Sequence, residues 1–394
     1  MKTVLLRAPL LTKSGYGVHA RQIARWLFDL SDSNPNLDIH TELLNWGDCS
    51  WYTDIYACDG LIGRCLQASS KRLEKYDITI QLQLPSEWCP ELGHYNVGVT
   101  AGIEATHCNP SWTTAIQSMD LVIVPSEFSK KSLLSNNIKV TTPVVVVPES
   151  FPDEMLEQNI TQTEFGFDTK FNFLLFGQST MGGDVQSDRK NIPLTLKWLF
   201  EEFSQNEDVG VILKTNMGSY GGVDRMKCEK LFENYSDSIK KSAFPRFYLV
   251  HGDMDECEVL SLYKEPSVKA LVSLTHGEGF GLPLLEAAAC DLPVICTDWS
   301  AHTEFLNHGK FIKIDYSLSP IPETRIDNYI WCRGTKWAVA DEADFKQKVR
   351  RFYEQHHVPT KNAAALGKII RNKYNFSEIS KAYSKVLTKI SQGI

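Results

Sequence analysis

The strongest constraint on this chain is a rhythm that runs twice. Short apolar segments alternate with longer stretches of mixed polarity, give way to a polar segment with two prolines at 148–168, and then resume. In the first run the apolar segments are 3–6, 38–44, 78–82, 96–100, 121–124 and 144–147, with helical patterns at 20–30, 110–118 and 129–135. In the second they are 173–176, 210–214, 246–251, 270–274, 294–297 and 311–314, with helical patterns at 192–203, 257–263, 282–290 and 343–353. Strands that are apolar at successive positions are buried on both faces, and with helices between them they form a parallel sheet covered on both sides. The expected fold class is α/β, with two tandem doubly wound Rossmann-like domains at 1–164 and 165–371. A last helix within 372–394 follows both sheets and is expected to pack back on the first domain. Open parallel sheets bind ligands beyond the carboxyl ends of their strands. Two such edges facing a cleft would hold one ligand from both sides.

Composition narrows the classes further. Of 394 residues, 43% are hydrophobic and 23% charged, as in ordinary globular proteins. No apolar run approaches the ~18 residues that span a bilayer. The start, MKTVLLRAPLL, is interrupted by Arg7 and reads as a first strand, not a signal peptide. The ten cysteines are scattered without a C-x-x-C pair, which points to reduced thiols and a cytoplasmic setting. A net charge of −7 gives no general pull toward nucleic acid or anionic lipid. The tail differs: from Lys361 onward there are seven Lys/Arg and one acid, Glu378. It reads either as a solvated helix face or as a basic surface for an anionic acceptor or a membrane edge.

The stretch SLTHGEGFGLPLLEAAACDLP, 273–293, carries the chemistry. An apolar strand runs into Gly277, Gly279 and Gly281, and a helix begins near Leu282 with Pro283 in its first turn, where proline is tolerated. Alternating glycines let the backbone approach a ligand, and the helix start favours negative charge. Glu278 stands in the loop and Glu286 lies eight positions on. A carboxylate near the start of a helix suits a vicinal diol such as ribose, and a second carboxylate suits the hydroxyls of another sugar. Diol, anion and diol recognition in succession match a nucleotide-diphosphate sugar.

Glu278-x7-Glu286 with Gly-Phe-Gly-Leu-Pro inside it resembles the signature of retaining glycosyltransferases of the GT-B fold, family four. The segments 291–295, 124–126 and 249–263 extend the resemblance. It implies that Glu278 contacts the transferred sugar, that backbone N–H groups around Gly279, Phe280, Gly281 and Leu282 reach the sugar or diphosphate, and that Glu286 holds the ribose. It places Met254 beside the base. It also implies cations for the departing diphosphate: Lys190 matches the family's lysine, and the family's arginine position falls on Gln178, with Arg189 as its substitute. Lys214, at the carboxyl end of a strand, is a further donor-binding candidate.

Asp253-Met254-Asp255 spells D-x-D, but between a strand and a helix Asp255 reads as a helix cap, and no metal is expected. In the first domain, Gly15-x-Gly17-x-x-Ala20 follows the first strand and fits a dinucleotide fingerprint. The acid such a site wants at the end of the second strand is missing, since Asp38 stands at the wrong end. The loop is therefore expected to face a donor diphosphate and not NAD. Where many members of the resembled family carry a histidine that touches the sugar, this chain has Ala101. Glu104 and His19 are the candidates for acceptor or sugar contact, and Trp46, Trp51, Tyr52 and Trp88 lie in loops of the same domain.

The expected activity is transfer of a sugar from a nucleotide sugar to an acceptor hydroxyl, with retention, without a cofactor or metal. The acceptor is open: a saccharide first, with a lipid-linked sugar, a protein or a modified nucleic acid as alternatives. The competing readings are a non-catalytic nucleotide-sugar binder and an NAD-dependent dehydrogenase.

Overall fold

The structure is a computed structural model that describes residues 1–136, 138–156, 163–178, 185–218, 221–239 and 242–388. It separates into two compact units, Met1–Ser150 with the C-terminal helix, and Phe151–Asn375.

In the first unit, β1 (Lys2–Ala8), β2 (Leu37–Leu43), β3 (Tyr76–Leu82), β4 (Gly93–Val99), β5 (Leu121–Val124) and β6 (Val144–Val146) form one sheet in the order β2-β1-β3-β4-β5-β6. Every neighbouring pair is parallel. The central strands are apolar on both faces, with Val4, Leu6, Ile80, Val97 and Ile123 fully buried, as a sheet covered on both sides requires. The helices are α1 (Gly15–Ser33), α2 (Leu61–Ala68), α3 (Pro110–Gln117) and α4 (Glu127–Leu134). Ser14 caps α1 by accepting the Gly17 N–H at 3.0 Å. Gly17 is required there: a Cβ would lie 2.0 Å from the Thr12 carbonyl oxygen.

In the second unit, β7 (Phe171–Phe176), β8 (Val209–Thr215), β9 (Arg246–His251), β10 (Val268–Ser273), β11 (Val294–Thr297) and β12 (Ile312–Ile314) pair in parallel in the order β12-β11-β10-β7-β8-β9. Read from the other edge, this is the 3-2-1-4-5-6 order of doubly wound dinucleotide folds, and the order reverses between β7 and β10. Helices α5 (Ile192–Glu202), α6 (Gly222–Ile239), α7 (Glu256–Tyr263), α8 (Leu282–Ala289), α9 (His302–Leu306), α10 (Glu342–Gln355) and α11 (His357–Lys373) surround it. The core under α5 and α10 is aromatic, built on Phe173, Phe203, Phe345 and Phe352. A hairpin of β13 (Tyr316–Pro320) and β14 (Lys336–Ala340) stands outside the sheet. α12 (Phe376–Val386) belongs to the first unit. There Trp26 Nε1 donates to Ser384 Oγ at 2.9 Å, and the Arg25 guanidinium lies 4.0 Å over the Phe376 ring.

The twelve strands read from the sequence are the twelve strands of the two sheets. The unit boundary lies at Ser150/Phe151, earlier than 164/165. Phe151 and Met155 are core residues of the second unit, and Phe151 N–H donates to the Tyr374 carbonyl at 3.3 Å. Residues 157–162 of the expected linker and 389–394 at the chain end lie outside the described residues. The sequence pattern did not show α2, α6, α11 or the hairpin. α6 buries only Cys228, Phe232 and Ser236, a stripe too thin to stand out. All ten cysteines are free, and Cys65, Cys108, Cys228 and Cys296 are buried. Among the described residues, no helix is long and apolar enough to cross a membrane.

Candidate functional site

The reversal point of the second sheet brings together the loop before α5 and the loop after β10. Lys190 Nζ donates to Glu278 Oε1 at 2.7 Å. Arg189 reaches Glu278 Oε2 at 3.4 Å and the Gly277 carbonyl at 2.8 Å. The backbone joins the same loops, since His276 N–H donates to the Arg189 carbonyl at 2.9 Å. Asn191 then turns into α5 with φ +54°. Lys190 and Glu278, 88 residues apart in sequence, thus meet because β7 and β10 are neighbours.

Glu278 is 6% exposed. Burial alone would raise its pKa, but the charge of Lys190, then that of Arg189, outweighs it and holds the carboxyl at about 2. It is an anion at any working pH. Gly281 precedes α8 with φ +101°, a conformation that favours glycine. Leu284 and Leu285 N–H both donate to the Gly281 carbonyl, and Pro283 has no N–H. Phe280 packs on Phe305 with ring centroids 5.5 Å apart. The first turn of α8 is thus closed on the Gly281 carbonyl, and the positive end of the helix lies at the glycine loop.

Glu286 lies on α8 and is 9% exposed. The Tyr263 hydroxyl at the end of α7 donates to Glu286 Oε2 at 3.0 Å. Burial pushes this carboxyl up to about 7; the Tyr263 hydrogen bond opposes the rise and Glu256 adds to it. So the two glutamates of one motif differ by environment: one has cations beside it, the other a phenol.

Lys214 is the penultimate residue of β8, one strand from β7 on the side away from Glu278. Its Nζ donates to Asn216 Oδ1 at 2.8 Å and to the Gly252 carbonyl at 2.5 Å. Burial lowers it to about 8, against the pull of Asp253 and Glu258. Met254 is half-buried in the loop between β9 and α7, two residues past Gly252. Asp255 caps α7: its Oδ1 accepts the Glu258 N–H at 2.8 Å, and Glu258 Oε2 accepts the Asp255 N–H at 2.9 Å. The second acid of the D-x-D spelling is thus one half of a capping box. Among the described residues no group of His, Cys, Asp and Glu has a metal-holding arrangement.

The first unit arranges its candidates differently. The close approach that Gly17 permits is to the Thr12 carbonyl within the same turn, and Gly15 opens α1 with nothing against it. Glu104 is half-buried in the loop between β4 and α3. His19 is not presented at a strand end. It is 2% exposed, its Nε2 lies 2.7 Å from the Tyr383 hydroxyl of α12, and burial lowers it to about 3. Its contacts fasten α12 to α1. Ala101 N–H donates to the Tyr16 hydroxyl at 3.1 Å, which also lies 3.1 Å from Thr100 Oγ1. β2 does carry an acid near its carboxyl end, Glu42, which the sequence reading overlooked; Arg7 pairs with it at 3.2 Å.

Sequence reasoning also missed Tyr263, Asn216, Ser300 and His302. Ser300 lies in the loop after β11 and bonds the Glu278 N–H, and His302 opens α9 and faces Ser300. Loops that follow the carboxyl ends of parallel strands are where such residues collect, and a serine and histidine just after VICT were a readable signal.

Residues 229–318 match the family model described as glycosyl transferases group 1. A stretch of 124 residues is 28% identical to a probable sucrose-phosphate synthase of Thermosipho melanesiensis, covering 31% of this chain and 27% of that protein. Among solved structures, the sucrose-phosphate synthase of Thermosynechococcus elongatus aligns over 100% of both chains with a TM-score of 0.64 at 12% identity. A glycosyltransferase from Rickettsia africae aligns over 100% of this chain and 99% of its own with a TM-score of 0.62 at 13% identity. The chain thus has the fold of the GT-B glycosyltransferases, and its second unit carries a glycosyl transferases group 1 segment.

Proposed function

We propose that the chain is a retaining glycosyltransferase that moves a sugar from a nucleotide-diphosphate sugar to an acceptor hydroxyl without a metal ion. The observation that carries this reading is the set of Lys190 and Arg189, ahead of α5, on Glu278, which stands ahead of α8 and eight residues before Glu286, at the reversal point of the second sheet. Lys190 and Arg189 oppose the charge that grows on the departing diphosphate, and the start of α8 adds a partial positive charge. Fixed charges of this kind contribute roughly 3–4 kcal/mol each to lowering a barrier. Glu278 accepts hydroxyls of the transferred sugar, Glu286 those of the ribose, and the Met254 loop lies by the base. Lys214 is a further cation for the donor. The acceptor hydroxyl attacks on the face that the diphosphate leaves. Its oxygen bonds to the anomeric carbon as the bond to the diphosphate breaks, and its proton passes to a diphosphate oxygen. No side-chain nucleophile enters the scheme. The favoured acceptor is a saccharide.

The test is a melting-temperature screen with UDP-, GDP- and ADP-sugars, followed by transfer assays with and without EDTA. A ligand that binds only the folded state raises its melting temperature. One base series should do so, and transfer should survive EDTA. Inertness toward every nucleotide sugar would remove the reading. Ala101, in place of the resembled family's histidine, favours one alternative: a binder without transfer, recognised by a melting shift with neither transfer nor donor hydrolysis.

A further inference from the structure

Glu278 is held from behind by a polar chain whose directions are fixed. The Thr297 carbonyl can only accept, so His302 Nε2, 2.8 Å away, donates to it. His302 is fully buried, and burial lowers its pKa, so it is neutral and its Nδ1 accepts. The group facing Nδ1 at 3.3 Å is Ser300 Oγ, which therefore donates. The same Oγ accepts the Glu278 N–H at 2.9 Å, while Ala301 N–H donates to the Glu278 carbonyl at 3.3 Å. Both backbone groups of Glu278 are thus fastened to the loop after β11.

Ser300 adopts φ +82°, which a side chain other than glycine reaches only at a cost. It is 6% exposed, so exposure to water does not account for the choice of serine. Glycine would adopt this turn without strain, but would have no hydroxyl for Glu278. His302 also backs the glycine turn, since a Cβ on Gly281 would lie 3.1 Å from His302 Cβ.

We propose that Ser300, backed by His302, is a positioning residue that locks the Glu278 segment in place for sugar transfer, and that its strained backbone is retained for that hydroxyl. The proposal rests on the transferase reading for its effect on turnover, but the lock itself is independent of it.

Ser300→Gly separates the two. It removes the hydroxyl and relieves the strain, so it should melt higher than Ser300→Ala, which loses the same hydrogen bonds and keeps the strain. In Ser300→Gly the Glu278 amide should exchange with deuterium roughly tenfold faster or more, because its acceptor is gone. With UDP-glucose, GDP-mannose and ADP-glucose as donors, kcat for transfer or donor hydrolysis should fall roughly tenfold while KM stays within about threefold, since misplacement affects the reacting geometry more than binding. Unchanged Glu278 exchange would overturn the lock. Faster exchange with unchanged kcat would overturn the positioning role. A wild-type chain inactive on all donors would instead remove the transferase reading, with the exchange result still deciding the lock.

Discussion

The two sheets have related topologies, yet their carboxyl ends carry different chemistry. In the second unit that end holds buried charge: Glu278 between two cations, Lys214 near the next strand, and Glu286 on the helix beyond. In the first unit that end holds the half-buried Arg7–Glu42 pair and, beside it, mostly groups bonded within the unit. Tyr16 stacks on Trp46 at 4.1 Å and takes the Ala101 N–H, and Arg21 is spent on the carbonyls of Leu10 and Thr12. Even the glycines differ in purpose. Gly17 fits its own turn, whereas Gly281 launches a helix beside the ion pair. A shared scaffold therefore says where to look, and the charged groups of the second end are what the proposed donor site rests on.

The largest expected effect is from Lys190→Met. It leaves the buried Glu278 carboxylate with Arg189 alone and removes a cation from the proposed diphosphate site. Turnover should fall roughly 100-fold or more. Steady-state kinetics checks this, and a loss below about threefold would break the contrast.

Next is Gly17→Ala, whose methyl would collide with the Thr12 carbonyl. It should cost about 3 kcal/mol of stability in chemical denaturation, and donor affinity measured on the remaining folded protein should be unchanged. A specific loss of donor affinity would instead make the first loop phosphate-facing.

Glu286 gives a pH test with a defined sign. Its folded pKa, about 7, lies above the usual 4.5. The folded state therefore binds the extra proton between these values, and stability falls as pH rises from 4.5 to 7. Glu286→Gln should flatten that fall and melt higher than wild type at pH 8, yet bind donor roughly tenfold more weakly. In the wild-type chain donor affinity should rise through pH 7 as Glu286 ionises, then decline above pH 8 as Lys214 loses its proton. Calorimetry at pH 6, 7, 8 and 9 reads both limbs.

The smallest effect is expected for Tyr16→Phe, which deprives Ala101 N–H of its acceptor. It should cost about 1 kcal/mol of stability and leave donor affinity unaltered.

Much of this was legible in the sequence because burial writes itself as uninterrupted apolar runs. LVIV and FNFLLF admit no other place than the middle of a covered sheet. Glu278 and Glu286 were legible because glycine spacing, a proline in the first turn and two carboxylates coincide in one short segment. What stayed hidden depends on contact across the fold. The pairing of Lys190 with Glu278 follows from β7 lying beside β10, which no local pattern encodes. His19 looked like a ligand-facing residue until α12, 364 residues away, supplied Tyr383 as its partner. α11 turns only Ala363, Leu366, Gly367 and Ile370 inward, and two of those are too small to mark a helix face.

The most direct measurement is a calorimetric titration of the wild-type, Lys190→Met and Tyr16→Phe chains with UDP, GDP and ADP. The account predicts that one nucleoside diphosphate binds the wild-type chain, that Lys190→Met weakens it roughly tenfold or more, and that Tyr16→Phe leaves it unchanged. Binding lost through Tyr16→Phe and kept in Lys190→Met, or no binding of any of the three, would contradict it.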